Sequence, residues 1–213
     1  MKTDDLIAML ASGPDVGVVR RPARLTLLPL LGGLLASAAL MLLLLGVHPN
    51  LAGELLMPAF WIKLTFSGSL AWAGCLAAKR LSAPGSRTAS LPLWLSGPVL
   101  LLWCVAGVLL LQAPPEARPD LFWGSTWRYC PALIATLSLP LFVAALHVMR
   151  GLAPTRLRLA GAAAGFASGA AAAVVYCLHC PELSEVFVGF WYLAGMLAPA
   201  ALGALIGPRV LAW

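Results

Sequence analysis

Three of the five cysteines sit where thiol chemistry is possible. Cys130 stands in Tyr-Cys-Pro, and Cys177 and Cys180 stand in Cys-Leu-His-Cys-Pro. Thiolates are nucleophiles, redox partners and ligands for soft metals, and an adjacent imidazole such as His179 extends the ligand set. The other two, Cys75 and Cys104, fall inside long apolar runs and read as small packing residues. Ionisable side chains within those runs are limited to Lys63 and His147. A path for ions or polar solutes needs intramembrane carboxylates or paired charges, which argues against a permease. Lys63 itself reads as a lysine that snorkels or caps a helix, or that pairs with Glu54 or Glu182. Ser67 lies one turn further along the same face.

Six apolar stretches must position these residues. The chain has 213 residues, of which 61% are hydrophobic and only 10% charged, against about 25% charged in a soluble domain. That excludes a soluble enzyme, a disordered chain and a small disulfide-stapled secreted protein. A membrane-spanning helix needs about 20 apolar residues, because lipid offers no hydrogen-bond partner to the backbone. Charged residues delimit such runs at Leu25–Val47, Leu56–Ala78, Leu91–Gln112, from Cys130 or Pro131 to Arg150, from Arg158 to about Leu178, and from Glu185 to about Gly207. The expected fold is all-α: six transmembrane helices joined by short loops. The chain divides into a segment over residues 1–24 and a membrane domain over 25–213.

Lys2, Arg20, Arg21, Arg24, Lys79, Arg80, Arg87, Arg150, Arg156, Arg158 and Arg209 fall on one side of this arrangement. Arg118 and Arg128 fall on the other, among Glu54, Glu116, Asp120, Glu182 and Glu185. Positive residues stay cytoplasmic, so both termini are expected in the cytoplasm. The net charge of +6 is thereby a topology signal and gives no reason to expect direct nucleic-acid binding. Arg20-Arg21 ahead of Ala36-Ser37-Ala38 faintly resembles a cleavable signal, but the apolar run continues to Val47, as in a retained anchor. No internal repeat or matched pair of broken helices points to a transporter site.

The fourth and fifth spans share a short loop and should be antiparallel neighbours about 8–10 Å apart. Cys130 and Cys180 then end close enough to join after a small movement, with Cys177 a turn deeper and His179 beside them. Three readings stand open: a static disulfide, a sensor of oxidants or soft metals built on Cys130, Cys180 and His179, and a quinone-linked thiol oxidoreductase using Cys177 and Cys180. At the other end of the chain, Thr3 to Leu10 reads as a short helix. Thr3 suits its cap, Asp4 and Asp5 suit its positive pole, and Leu6, Ile7 and Leu10 form an apolar stripe. Either its own membrane domain, the lipid interface or a basic protein partner must cover that stripe.

Met-Lys-Thr-Asp-Asp-Leu-Ile at the start, Phe60-Trp61-x-Lys63, Cys130-Pro131, Ser138-Leu139-Pro140 and Cys180-Pro181-Glu182 together resemble the NrsF-type proteins. These are six-span anti-sigma factors of the bacterial inner membrane. The resemblance implies a multi-pass regulator that is not an enzyme, without a resident cofactor. It implies an extracytoplasmic-function sigma factor as partner, held by Thr3, Asp4, Asp5 and Leu6 with the rest of the stripe. It also implies that heavy metals or oxidants act on a periplasmic pair, Cys130 and Cys180. Cys177 has no counterpart in that pair.

Overall fold

A computed structural model describes residues 3–11, 23–83, 88–152 and 154–212. Among them every regular element is helical: α1 (Thr3–Ala11), α2 (Ala23–Leu44), α3 (Leu51–Glu54), α4 (Pro58–Leu81), α5 (Leu91–Gln112), α6 (Arg118–Trp123), α7 (Cys130–Arg150), α8 (Leu157–Tyr176), α9 (Glu185–Phe187) and α10 (Leu193–Val210). A π-helical turn over Val188–Tyr192 makes α9 and α10 one continuous rod. Lys2, Arg20, Arg21 and Arg87 of the topology reading lie outside the described residues, as does the Leu10 side chain.

Five of these helices are long and apolar enough to cross a membrane: α2, α5, α7, α8 and the α9–α10 rod. The second expected span, Leu56–Ala78, coincides with α4, a helix of 24 residues that is not among these five. Lys63, Thr65, Ser67 and Ser69 lower its apolarity, and Lys63 and Ser67 are buried inside the protein rather than facing lipid. Boundaries otherwise follow the expected runs, with α5 matching at both ends and α8 stopping at Tyr176, two residues early.

The bundle is built around α8, which packs on α4, α7 and α10. Its contact with α10 is backbone to backbone. Gly161, Gly165 and Gly169 recur every fourth residue and so line one face of α8. Opposite them stand Pro199, Gly203 and Gly207 of α10, also at intervals of four. A methyl group on Gly165 would overlap the Pro199 carbonyl, and one on Gly161 or Gly203 the carbonyl of the other. Lipid supplies no hydrophobic drive between helices, so such close approach and the dispersion it gains hold the pair together. Gly74 brings α4 against Ala167 of α8 in the same way, and Gly33 brings α2 against Leu141 of α7.

Outside this centre, α5 leans on α4 and on α9 and the π turn. Between α5 and α8 lies an apolar cavity of about 660 Å³, bordered by Ala77 and Leu81 of α4, Leu91 and Leu95 of α5, and Ala163 and Phe166 of α8. Cys75 and Cys104 do not pack in the core as expected. Both lie exposed, on the outward faces of α4 and α5.

Candidate functional site: a buried thiol cluster

Cys130 is the first residue of α7, preorganised by Pro131 in the opening turn. Its amide donates to the Thr126 carbonyl at 2.9 Å. Cys177 closes α8, and one further turn brings the Cys180 amide onto the Tyr176 carbonyl at 3.1 Å. All three sulfurs are completely buried in one core cluster with Tyr176 and Tyr192. The two tyrosine rings lie 5.8 Å apart, the second delivered by the π turn. All five cysteines are free thiols.

Cys130 and Cys180 thus meet, as the antiparallel α7–α8 arrangement requires. Cys177 has a different neighbour, the Ser67 hydroxyl of α4 at 3.9 Å. The Cys130 thiol, acting as a hydrogen-bond donor to Cys180, holds that group down to about 6, against the upward pull of burial. His179 is turned towards the end of α2, its Nδ1 at 3.0 Å from the Gly46 carbonyl. Among the described residues, no three of His, Cys, Asp and Glu gather closely enough to hold a metal ion.

Lys63 is 1% exposed, so it does not snorkel. Nor does it meet the carboxylate of Glu54 or Glu182. Its Nζ donates to the backbone carbonyls of Cys180 at 2.8 Å and Glu182 at 3.2 Å, and lies 5.5 Å from the Phe60 ring centroid. The reason is geometric. After α8 ends, the carbonyls of the following loop lack helical partners, and a buried ammonium needs acceptors. Each satisfies the other.

The Glu182 carboxylate is used elsewhere. Its Oε1 accepts from the Ser125 amide and hydroxyl, both at 2.7 Å, and from the Thr126 amide at 3.2 Å. Gly124, with φ at 53°, makes the turn that presents these donors, and a side chain there would strike Glu182. The segment 180–182 is therefore clamped on both sides: Lys63 of α4 takes its carbonyls, and its own carboxylate grips the turn leading into Cys130. Glu54, 4% exposed, pairs with His48 at 3.0 Å instead, and the His48 amide donates to Leu178 at 3.0 Å.

Sequence reasoning did not foresee the tyrosines, the Glu182 clamp or the His48–Glu54 pair. Cys-Pro-Glu was the visible trace of the clamp, an acid two residues beyond the thiol in a chain with few charges. A cap of aromatic side chains covers this end of the bundle: Trp127 and Trp191 have centroids 5.2 Å apart, and the Trp191 indole donates to the Phe122 carbonyl at 2.9 Å.

At the opposite end of the chain, Thr3 opens α1, Asp4 and Asp5 occupy its first turn, and residues 3–9 are exposed. Leu6 and Ile7 keep their apolar side chains at the surface.

Fold and site together define a multi-pass helical protein by the length and apolarity of its helices, with a clamped thiol cluster at one end of the bundle. The chain belongs to the NrsF family, described as "Negative regulator of sigma F", whose model matches residues 10–213. It is 51% identical over 215 residues to the "Probable anti-sigma-F factor NrsF" of Azospira oryzae, covering all of both chains. It is 40% identical over 218 residues to the "Anti-sigma-F factor NrsF" of Caulobacter vibrioides, again covering all of both. No solved structure matches the chain.

Proposed function

We propose that this protein is a membrane anti-sigma factor that holds an extracytoplasmic-function sigma factor inactive and lets it go when its thiols react. The family and its two full-length relatives support the regulatory role. The observation that carries the sensing part is the burial of Cys130 and Cys180, fifty residues apart in sequence, in one clamped cluster. In this reading α4 crosses the bilayer with the five apolar helices, giving six spans of a bacterial inner membrane. Both termini lie in the cytoplasm and the thiol cluster faces the periplasm.

The sigma factor is captured by α1. Asp4 and Asp5 offer charge to a basic surface, and Leu6, Ile7 and Leu10 offer the apolar stripe that a partner must cover. Thr3 sets the start of the helix. Two oxidation-sensitive thiols in an oxidising compartment can link to each other, and two thiolates can also take a soft metal ion between them. Either event re-packs α7 against the 180–182 loop, giving two states with different affinity for the partner.

A thiol oxidoreductase would need Cys177 and Cys180 as the exchanging pair. The placement of Cys177 against Ser67, with Cys130 beside Cys180, favours the sensor. The test pairs two variants in a sigma-dependent reporter strain. Cys130→Ser with Cys180→Ser is expected to abolish induction by oxidant or metal while basal repression persists. Asp4→Ala with Asp5→Ala is expected to release the sigma factor without any inducer. Unchanged induction in the first sinks the sensor, and unchanged capture in the second sinks the α1 interface. Thiol turnover by purified protein that Cys177→Ser abolishes would instead establish the enzyme.

A further inference from the structure

A lysine with no exposed surface inside a membrane bundle needs a reason. Most lysines near a bilayer spend their long stem reaching water. Lys63 does the reverse, and two of its three donors go to the main chain around the thiols, at Cys180 and Glu182. Main-chain acceptors report where the loop is, whatever its side chains are doing. A buried ammonium that loses them is left uncompensated in a low-dielectric setting, so Lys63 must follow if the loop moves.

The loop must move when the thiols join. Two Cys–SH groups give up two electrons and two protons to a peroxide. Both S–H bonds and the O–O bond break, one S–S bond forms, and two waters leave. The sulfurs close to about 2.05 Å, well inside their non-bonded separation, drawing Cys180 towards the start of α7. Glu182 holds that side of the loop to the Ser125–Thr126 turn, so the displacement falls on the Lys63 side.

Lys63 is carried by α4, a helix able to transmit a displacement. From Lys63 to Leu81 it runs about 27 Å at about 1.5 Å per residue, most of the thickness of a hydrocarbon core. Beyond Leu70 its contact with α8 narrows to Gly74 and Ala77 against Ala167 and Ala163, with the Phe166 ring alongside, small residues that permit small sliding. Its far end borders the 660 Å³ cavity at Ala77 and Leu81, where a shifted helix finds room. We propose that Lys63 is the positioning residue that couples the thiol pair to α4, so that joining Cys130 to Cys180 displaces the far end of α4. The inference rests on the reading of those two cysteines as the reactive pair.

The experiment uses the full chain in nanodiscs, before and after hydrogen peroxide. The Cys130–Cys180 linkage is read by peptide mass, and amide hydrogen exchange is followed over residues 77–82. Oxidised wild-type protein is expected to form the linkage and change exchange at 77–82 several-fold. Lys63→Met is expected to form the linkage in the same yield with exchange there changed less than twofold, and Lys63→Arg to restore part of the response. A Lys63→Met protein that responds like wild type would overturn the coupling. So would a linked wild-type protein with no change at α4, or a Lys63→Met protein unable to form the linkage, which would make Lys63 a folding residue. Absence of any linkage in wild type fails the reading of the pair itself, and is distinguishable because the mass measurement alone reports it.

Discussion

Cys180 owes its lowered proton affinity to its neighbours. Burial alone would keep it protonated, yet the donor thiol of Cys130 brings it down to about 6. An ordinary free thiol, at about 8.5, is only a few per cent thiolate at neutral pH. The sign is direct: above pH 6 Cys180 becomes the anion, and below it the proton returns. In protein lacking Cys75, Cys104 and Cys177, the ultraviolet thiolate signal is therefore expected to rise with a midpoint near pH 6. Cys130→Ala removes the largest of the lowering influences and leaves only the Tyr192 hydroxyl, the Glu182 backbone and the Lys63 charge against burial, so the midpoint should rise. A midpoint that stays put would show that Cys130 is not the cause. The meeting of these two thiols was legible from span direction and loop length alone. The role of Lys63 was not, because its partners are backbone carbonyls, which every residue carries and no sequence distinguishes. Of the readings the sequence did suggest, snorkelling, helix capping and carboxylate pairing, capping came nearest, since Lys63 takes carbonyls just beyond the end of α8.

Helix α8 teaches a related lesson about composition. Its richness in glycine and alanine is plain in the sequence, but the glycine face of α8 acquires meaning only once Pro199, Gly203 and Gly207 stand opposite it. Which helix lies across a seam is a tertiary fact. The glycines also differ sharply in what they tolerate. Gly165→Leu is expected to force α8 from α10 and abolish recovery of folded, monodisperse protein in detergent. Gly68→Ala and Gly97→Ala meet open space and should be neutral or raise helix stability by about 0.5–1 kcal/mol. Thermal unfolding of the three variants in one detergent checks the contrast, and equal losses would mean that close approach is not what the seam requires. Hydropathy performed unevenly at this scale. It delimited α5 at both ends, yet α4 is less apolar than its neighbours because its polar residues serve the interior.

For the whole molecule the open quantity is parity. Six crossings return the chain to the side where it began, whereas five would leave its ends on opposite sides. Described basic residues gather at one end of the bundle, at Arg24, Lys79, Arg80, Arg150, Arg156, Arg158 and Arg209, and that asymmetry belongs to the six-span proposal. Fusions of a reporter active only in the cytoplasm are expected to work at both termini and to fail in the loop between α5 and α7. Activity at one terminus only would remove α4 from the list of spans. The short α3 and α6 and the π turn were invisible beforehand, since each is set by how neighbouring parts meet. The π turn has a consequence for the rod that contains it. It holds one residue more than an α-helical turn, which offsets the two halves by about 100° about their shared axis. Tyr192 and Trp191 are thereby clocked to the thiol cluster and the aromatic cap, while Pro199 and Gly203 are clocked to α8. Removing a single residue there would leave a better helix and a worse protein, with one half dialled out of step with the other.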